Sequence, residues 1–395
     1  MKFITPEIVW HSKEPVFSID FSVQPYCYRL ASAGADKDIK IWDVSLVEEK
    51  IQLKYLFSLT RHDRAVNTVR FSPDGRFLAS GGDDGWIIIW NVTSDEDILG
   101  ESEEKMSVHK VLRGHLEDVS DLSWSLDGCR LVSGSVDNTA ILWDVERGQA
   151  LFRVREHKHY VQGVAFDPIK QYIATLSSDR TLKFLNLHTG MTCVSSVSKV
   201  TAPDQSHFKA FKDETLSTFF RRLSYSPDGN ILVVPSGQYK QDTEKTVDCT
   251  FIFSRNCLTK PVMYLPTLDK PSVLVRFNPR LYKLLPDATP IFKLAYRMIY
   301  AVATLCTVYL YDTQRLEPLA VIGQIHYANL TDMSWSSDGR LLVISSTDSY
   351  CTVILFSEGE LGELYEIKKA QTHGSGEQIL IEPDTISSGE MDTIY

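Results

Sequence analysis

The sequence predicts an all-β fold made of seven copies of one four-stranded unit. Three observations predict it: one phrase recurs along the chain, each copy breaks into short alternating apolar and polar runs, and the copies are spaced as a unit of four strands requires. The clearest copy runs from His115 to Asp144, HLEDVSDLSWSLDGCRLVSGSVDNTAILWD, and another from His62 to Asn91, HDRAVNTVRFSPDGRFLASGGDDGWIIIWN. The copy from His11 to Asp43 carries a short insertion and ends DKDIKIWD, and the fourth runs from His157 to Asn186. The later copies are weaker. They keep FFRRLSYSPDGNILVVPSG and FIFSR within 219–255, PSVLVRFNP and AVATLCTVYLYD within 271–312, and IHYANLTDMSWSSDGRLLVISSTD with TVILF within 326–357.

Each run is rich in Val, Ile, Leu and aromatics and ends in turn residues, which marks it as a strand. At Pro73, Asp74 and Gly75 the turn chemistry is explicit: Pro presets φ, Asp caps the bend and Gly accepts positive φ, and the Asp-Gly pair recurs at 228–229 and 338–339. Trp42, Trp90 and Trp143, which end the third strand of their copies, lie 48 and then 53 residues apart. A four-stranded propeller blade takes about 40–45 residues, so seven blades need about 300 and leave room for insertions and a tail. Lys2 to Thr5 precedes the first copy and is expected to complete the last blade, whose own run ends near Phe356. That join closes the ring and leaves no aggregation-prone sheet edge at the seam.

The predicted organisation is therefore a seven-bladed propeller over 1–362 with an acidic flexible tail over 363–395. Two long insertions interrupt it: an acidic inter-blade loop over 91–111 and a blade-five insertion over 196–218. The chain has 395 residues and a formal net charge of −10, and the 91–111 segment and the tail carry −4 and −5 of it. The ring itself is nearly neutral. An acidic balance argues against direct nucleic-acid binding, which depends on neutralising phosphates with Lys and Arg. No apolar run approaches the roughly 18–20 residues of a membrane-spanning helix, and Pro6, Glu7 and His11 interrupt any signal-like stretch, so neither a membrane nor secretion is expected. The seven cysteines form no CxxC pair and no zinc-spaced set, which fits a reducing compartment and gives no cofactor.

The repeats resemble the WD-repeat family of β-propellers over residues 1 to about 357. This bears on a pattern that otherwise looks catalytic. His62 and Asp84 are 22 residues apart, as are His115 and Asp137, His157 and Asp179, and His326 and Asp348. A His with an Asp orienter suggests a hydrolytic triad, but one spacing repeated in four blades indicates one structural job per blade. The resemblance implies a buried relay of His, turn Asp and strand Ser tied to the strand-three ring, Trp90 and Trp143 in the clearest copies. Blades five and six lack the His and the turn Asp, and blade four has Leu185 in place of Trp, so packing should hold those blades. No carboxylate pair, nucleophile elbow or phosphate-cradling loop stands apart from the repeats, and no enzymatic activity is expected.

Two segments are candidates for partner binding. Asp95, Glu96, Asp97, Glu101, Glu103 and Glu104 could dock a basic protein, or could form a merely solvated linker. Phe219, Phe220, Arg221 and Arg222 have the composition of an exposed interface anchor, or else Phe219 and Phe220 start blade five's first strand and pack inward.

The phrases EIVWHSKEPVFSIDF, RGHLEDVSDLSW, EHKHYVQGVAFDP, TFFRRLSYSPDG and IHYANLTDMSWSSDGRLLVISSTDSYC resemble the WD-repeat subunits of chromatin assembly factor one, irregular blade five included. The resemblance implies a noncatalytic scaffold in the nucleus, part of a histone chaperone that deposits the central-tetramer histones during replication- and repair-coupled nucleosome assembly. Its implied partners are a large subunit, a second, histone-binding WD-repeat subunit and those core histones. The tail shows no basic motif of the kind that docks the anti-silencing histone chaperone. The alternatives are a Hir-family, replication-independent chaperone propeller and a ubiquitin-ligase substrate receptor. Hir-family chains carry a substantial further region, so an end at residue 395 favours the first reading.

Overall fold

The computed structural model describes residues 1–23, 28–47, 50–92, 106–201, 207–240, 246–267, 270–286, 288 and 290–366. Among them are seven four-stranded antiparallel sheets and one small two-stranded sheet. The innermost strands of the seven are Val16–Phe21, Val66–Phe71, Val119–Trp124, Val161–Phe166, Ser224–Tyr225, Ser272–Tyr282 and Leu330–Trp335. Each contacts the inner strand of the blade before and after it, and the last contacts the first, so the blades form a closed ring.

Burial follows from that arrangement. Val66–Phe71 is flanked by blades on both sides and is buried at every residue, whereas the outer strand Lys50–Leu59 is exposed or half-buried at every residue but Leu59. The core is split into seven apolar layers, one between each pair of neighbouring blades. Phe77, Ile87, Leu122, Trp124 and Trp143, for example, join blades two and three. Lys2–Ile4 is the outermost strand of blade seven, with Lys2 opposite Leu355 and Ile4 opposite Val353. The ring is thus closed by its first residues.

The tight turns also join blades. Gly128 has φ +66°, and a Cβ there would overlap the Asp74 carboxylate of the preceding blade, so this turn needs glycine for both conformation and approach. Around the same face Lys170 Nζ donates to Asp127 at 2.7 Å, Arg255 to Asp167, Tyr296 Oη to Asp228 at 2.8 Å and Tyr28 Oη to Asp338 at 2.5 Å.

Three expected boundaries differ. Residues 91–111 are not a loop between blades: Met106–Arg113 is the outermost strand of blade two, paired with Trp86–Val92. The connection therefore lies within that blade, and Asp95, Glu96, Asp97, Glu101, Glu103 and Glu104 lie outside the described residues. The 196–218 insertion begins inside the outer strand of blade four, Thr192–Val197, and then forms the hairpin Lys199–Thr201 with His207–Lys209. The tail does not leave the ring at 363. Leu364 bridges Tyr282, Lys283 donates its backbone N–H to Glu363, and the Tyr365 ring lies 5.5 Å from Tyr296.

Candidate functional site

The repeated His and Asp residues form one relay in each of blades one to four and seven. In blade two, His62 Nδ1 lies 2.8 Å from Asp84, His62 Nε2 lies 2.8 Å from Ser80 Oγ, and Trp90 Nε1 donates to that hydroxyl at 3.0 Å. Blade three repeats this with His115, Asp137, Ser133 and Trp143 at 3.0, 2.7 and 2.8 Å. In blade four His157 contacts Asp179 at 3.0 Å and Thr175 at 2.8 Å, and buried Leu185 fills the Trp position. Blade one has the same relay through His11, Asp36, Ser32 and Trp42. Sequence spacing missed that Asp because the insertion lengthens 22 residues to 25. Blade seven deviates. Ile344 stands where the strand hydroxyl should be, and His326 instead reaches Thr352 at 3.0 Å, whose hydroxyl also meets Thr5 at 2.7 Å.

Each acid is shielded from solvent, which alone would raise its pKa, but the His and the nearby backbone N–H groups outweigh burial. The Asp84, Asp137, Asp179 and Asp348 carboxyls are all held below the ordinary range. The hydroxyls on the Nε2 side, Ser32, Ser80, Ser133 and Thr175, are fully buried, and the three serines also accept from the strand-three Trp, so this geometry stiffens the sheets. No group of three or more His, Cys, Asp or Glu among the described residues is placed to hold a metal ion.

The Phe219–Arg222 segment leads into blade five's inner strand and packs inward, its two arginines as well as Phe220. Arg221 and Arg222 are fully buried, so they are not an exposed anchor. The reason is local: residues 221–223 extend blade five's short inner strand. Arg221 N–H donates to Gln162 O of blade four at 3.3 Å, and Arg222 N–H to Val273 O of blade six at 2.9 Å. Gly163 makes the first approach possible, since any Cβ there would overlap the Arg221 carbonyl.

From this position the Arg222 guanidinium projects into the central channel. It donates to Asp332 of blade seven, to Ser18 Oγ of blade one at 3.1 Å and to Asn67 O of blade two at 2.7 Å, and lies 4.0 Å from Asp121 of blade three. Arg70 and Arg276 add bonds to Asp332 at 2.7 and 3.1 Å. Burial pushes the Asp332 carboxyl up, but Arg222, Arg70 and Arg276 together hold it well below the usual range. Burial lowers Arg222 to about 10, which leaves it charged at neutral pH. Phe220 is buried beneath this clasp, with Arg222 Cζ 4.4 Å from its ring centre, while half-buried Phe219 borders a cavity at one mouth of the channel. The signal for the clasp was present: Asp121 and Asp332 occupy an inner-strand position where other copies have Thr68 or Gly163.

With the ring and its irregular blade described, comparison with known proteins becomes informative. The model of the CAF1B/HIR1 beta-propeller domain matches residues 1–361, blade five included. The chain belongs to the CAF1B/HIR1 propeller family. The CAF1B member of mouse chromatin assembly factor 1 is 43% identical over 92% of this chain and 68% of its own length. Its Saccharomyces cerevisiae counterpart is 34% identical over 91% of this chain and 87% of its own. Protein HIR1 of Kluyveromyces lactis is 32% identical over 95% of this chain but only 46% of its own length. The CAF1B/HIR1 match ends four residues short of Tyr365, where the compact ring also ends.

Proposed function

We propose that this chain is the noncatalytic scaffold subunit of a nuclear histone chaperone of the chromatin assembly factor type. It joins the large subunit and the second WD-repeat subunit and helps hold the central-tetramer histones for deposition in replication- and repair-coupled assembly. The observation that carries this reading is the 43% identity to the CAF1B member of mouse chromatin assembly factor 1 over 92% of the chain, against 32% to Protein HIR1. A ring held by its relays and central clasp, in a chain whose net negative charge falls mostly within 91–111 and the tail, suits a protein that binds others.

Affinity purification of the full chain from nuclear extract at two salt concentrations tests it. A large charged subunit and core histones should be recovered, with less at higher salt. A replication-independent chaperone complex would select the Hir-type alternative, and ubiquitin-ligase components would overturn the class. Replacing Asp95, Glu96, Asp97, Glu101, Glu103 and Glu104 with Ser or Gln should weaken histone or large-subunit recovery without changing the melting temperature. Unchanged recovery and salt dependence would make the segment a linker.

A further inference from the structure

A cavity of about 290 Å³ opens at one mouth of the channel, lined by Phe17, Asn67, Asp83, Asp118, Phe219 and Phe220 among others. Its walls come from blades one, two, three, five and seven, which can converge only around the ring axis. The size suits one long side chain and falls at the low end of small-molecule pockets, at about 300 Å³ and above. We propose that this cavity receives the cationic side chain, arginine or lysine, of a basic protein segment.

Three independent features support a cation. First, no Lys or Arg lines the cavity, and the cation that acts on Asp118, Arg64, is not among its lining residues. Burial raises the Asp118 pKa, and Asp83 and Glu117 raise it further, against smaller opposition from its own backbone N–H and from Arg64. Second, Asn67 is 4% exposed and spends its amide on Asp83 at 2.6 Å and Val119 O at 3.1 Å. Among the described residues no protein donor reaches its carbonyl Oδ1, which is open enough to accept an N–H. Third, Phe17, Phe219 and Phe220 line the cavity, and aromatic rings attract a cation more than a neutral group. Arg222 already occupies such a position over Phe220, but its charge is spent on Asp332 and Asp121. A peptide also has footing outside the cavity, because Leu116 and Tyr327, on the loops that carry Asp118 and Asn329, are exposed. A metal ion would require a closer set of oxygens than two carboxylates in so large a space.

This site deepens the chaperone reading by naming the chemistry of the segment bound. The test uses the full chain and three short Gly/Ser peptides whose central residue is arginine, lysine or citrulline, with binding followed by NMR. The arginine and lysine peptides should bind saturably, and the neutral citrulline peptide about tenfold or more weaker. Asp83→Asn with Asp118→Asn should weaken the arginine peptide by a similar factor. Should that variant fail to fold, Asn329→Lys, which brings a cation to the rim from within, should block the peptide instead. Absence of saturable binding, equal binding of arginine and citrulline, or indifference to these substitutions would overturn the site. Loss of histones from the purification above, with arginine selectivity intact, would overturn the chaperone reading and leave the site standing.

Discussion

Blades three and five occupy equivalent places in the ring and are held by opposite means. Blade three is secured from within: His115, Asp137, Ser133 and Trp143 connect its loop, its turn and two of its strands. Blade five has no His and a two-residue inner strand, Ser224–Tyr225. It is secured from outside, by Arg222 reaching across the channel to blades one, two and seven, and by Arg221 bonded to the carbonyls of Lys212 and Asp213. The contrast teaches that a repeat can lose its internal relay when a neighbour-bridging charge replaces it. The cost is concentration of the load on one residue.

The largest effect should therefore come from Arg222→Ala, which leaves Asp332 facing Arg70 and Arg276 with a void between blades. Removing one partner of such a buried cluster costs about 3–5 kcal/mol, measurable by chemical denaturation. A loss below about 1 kcal/mol would refute a central role for the clasp. Acid should come next. Asp332, Asp137, Asp179, Asp84 and Asp348 have pKa values lower in the folded ring than in the unfolded chain. The unfolded state then binds more protons, so their contribution is complete above about pH 4 and drains as pH falls towards the folded values. Asp20, raised by burial, acts in the opposite sense but is outnumbered. A denaturation midpoint unchanged between pH 7 and pH 3 would contradict this assignment. The smallest effect is expected from Asp137→Ala, about 1–3 kcal/mol, because the rest of blade three remains packed. That variant should also show a shallower acid dependence. An unaltered melting temperature would show that the relay is not what secures the blade.

The fold was largely legible because a repeat states its period many times. Seven strand-rich copies, Asp-Gly turns and a strand at Lys2 to Thr5 ahead of the first copy allow few closed arrangements. What escaped were features that depend on two copies at once. The fourth strand of each blade is its most variable, so Met106–Arg113 read as part of an acidic loop. Arg221 and Arg222 read as surface residues because a pair of arginines is rarely buried, and their partners are supplied by Asp332, 110 positions away from Arg222, and by backbone carbonyls. The channel-mouth cavity was illegible for the same reason: its walls come from five blades, and no local motif records the meeting.

The pairing of Lys2 with Leu355 has a consequence for synthesis. The first strand leaves the ribosome long before its hydrogen-bonding partner exists, on the order of half a minute at about 5–20 residues per second. Throughout that interval the growing chain displays an unclasped end and raw sheet borders. Protection of the nascent polypeptide, and not only the strength of the finished ring, then governs how much of it matures.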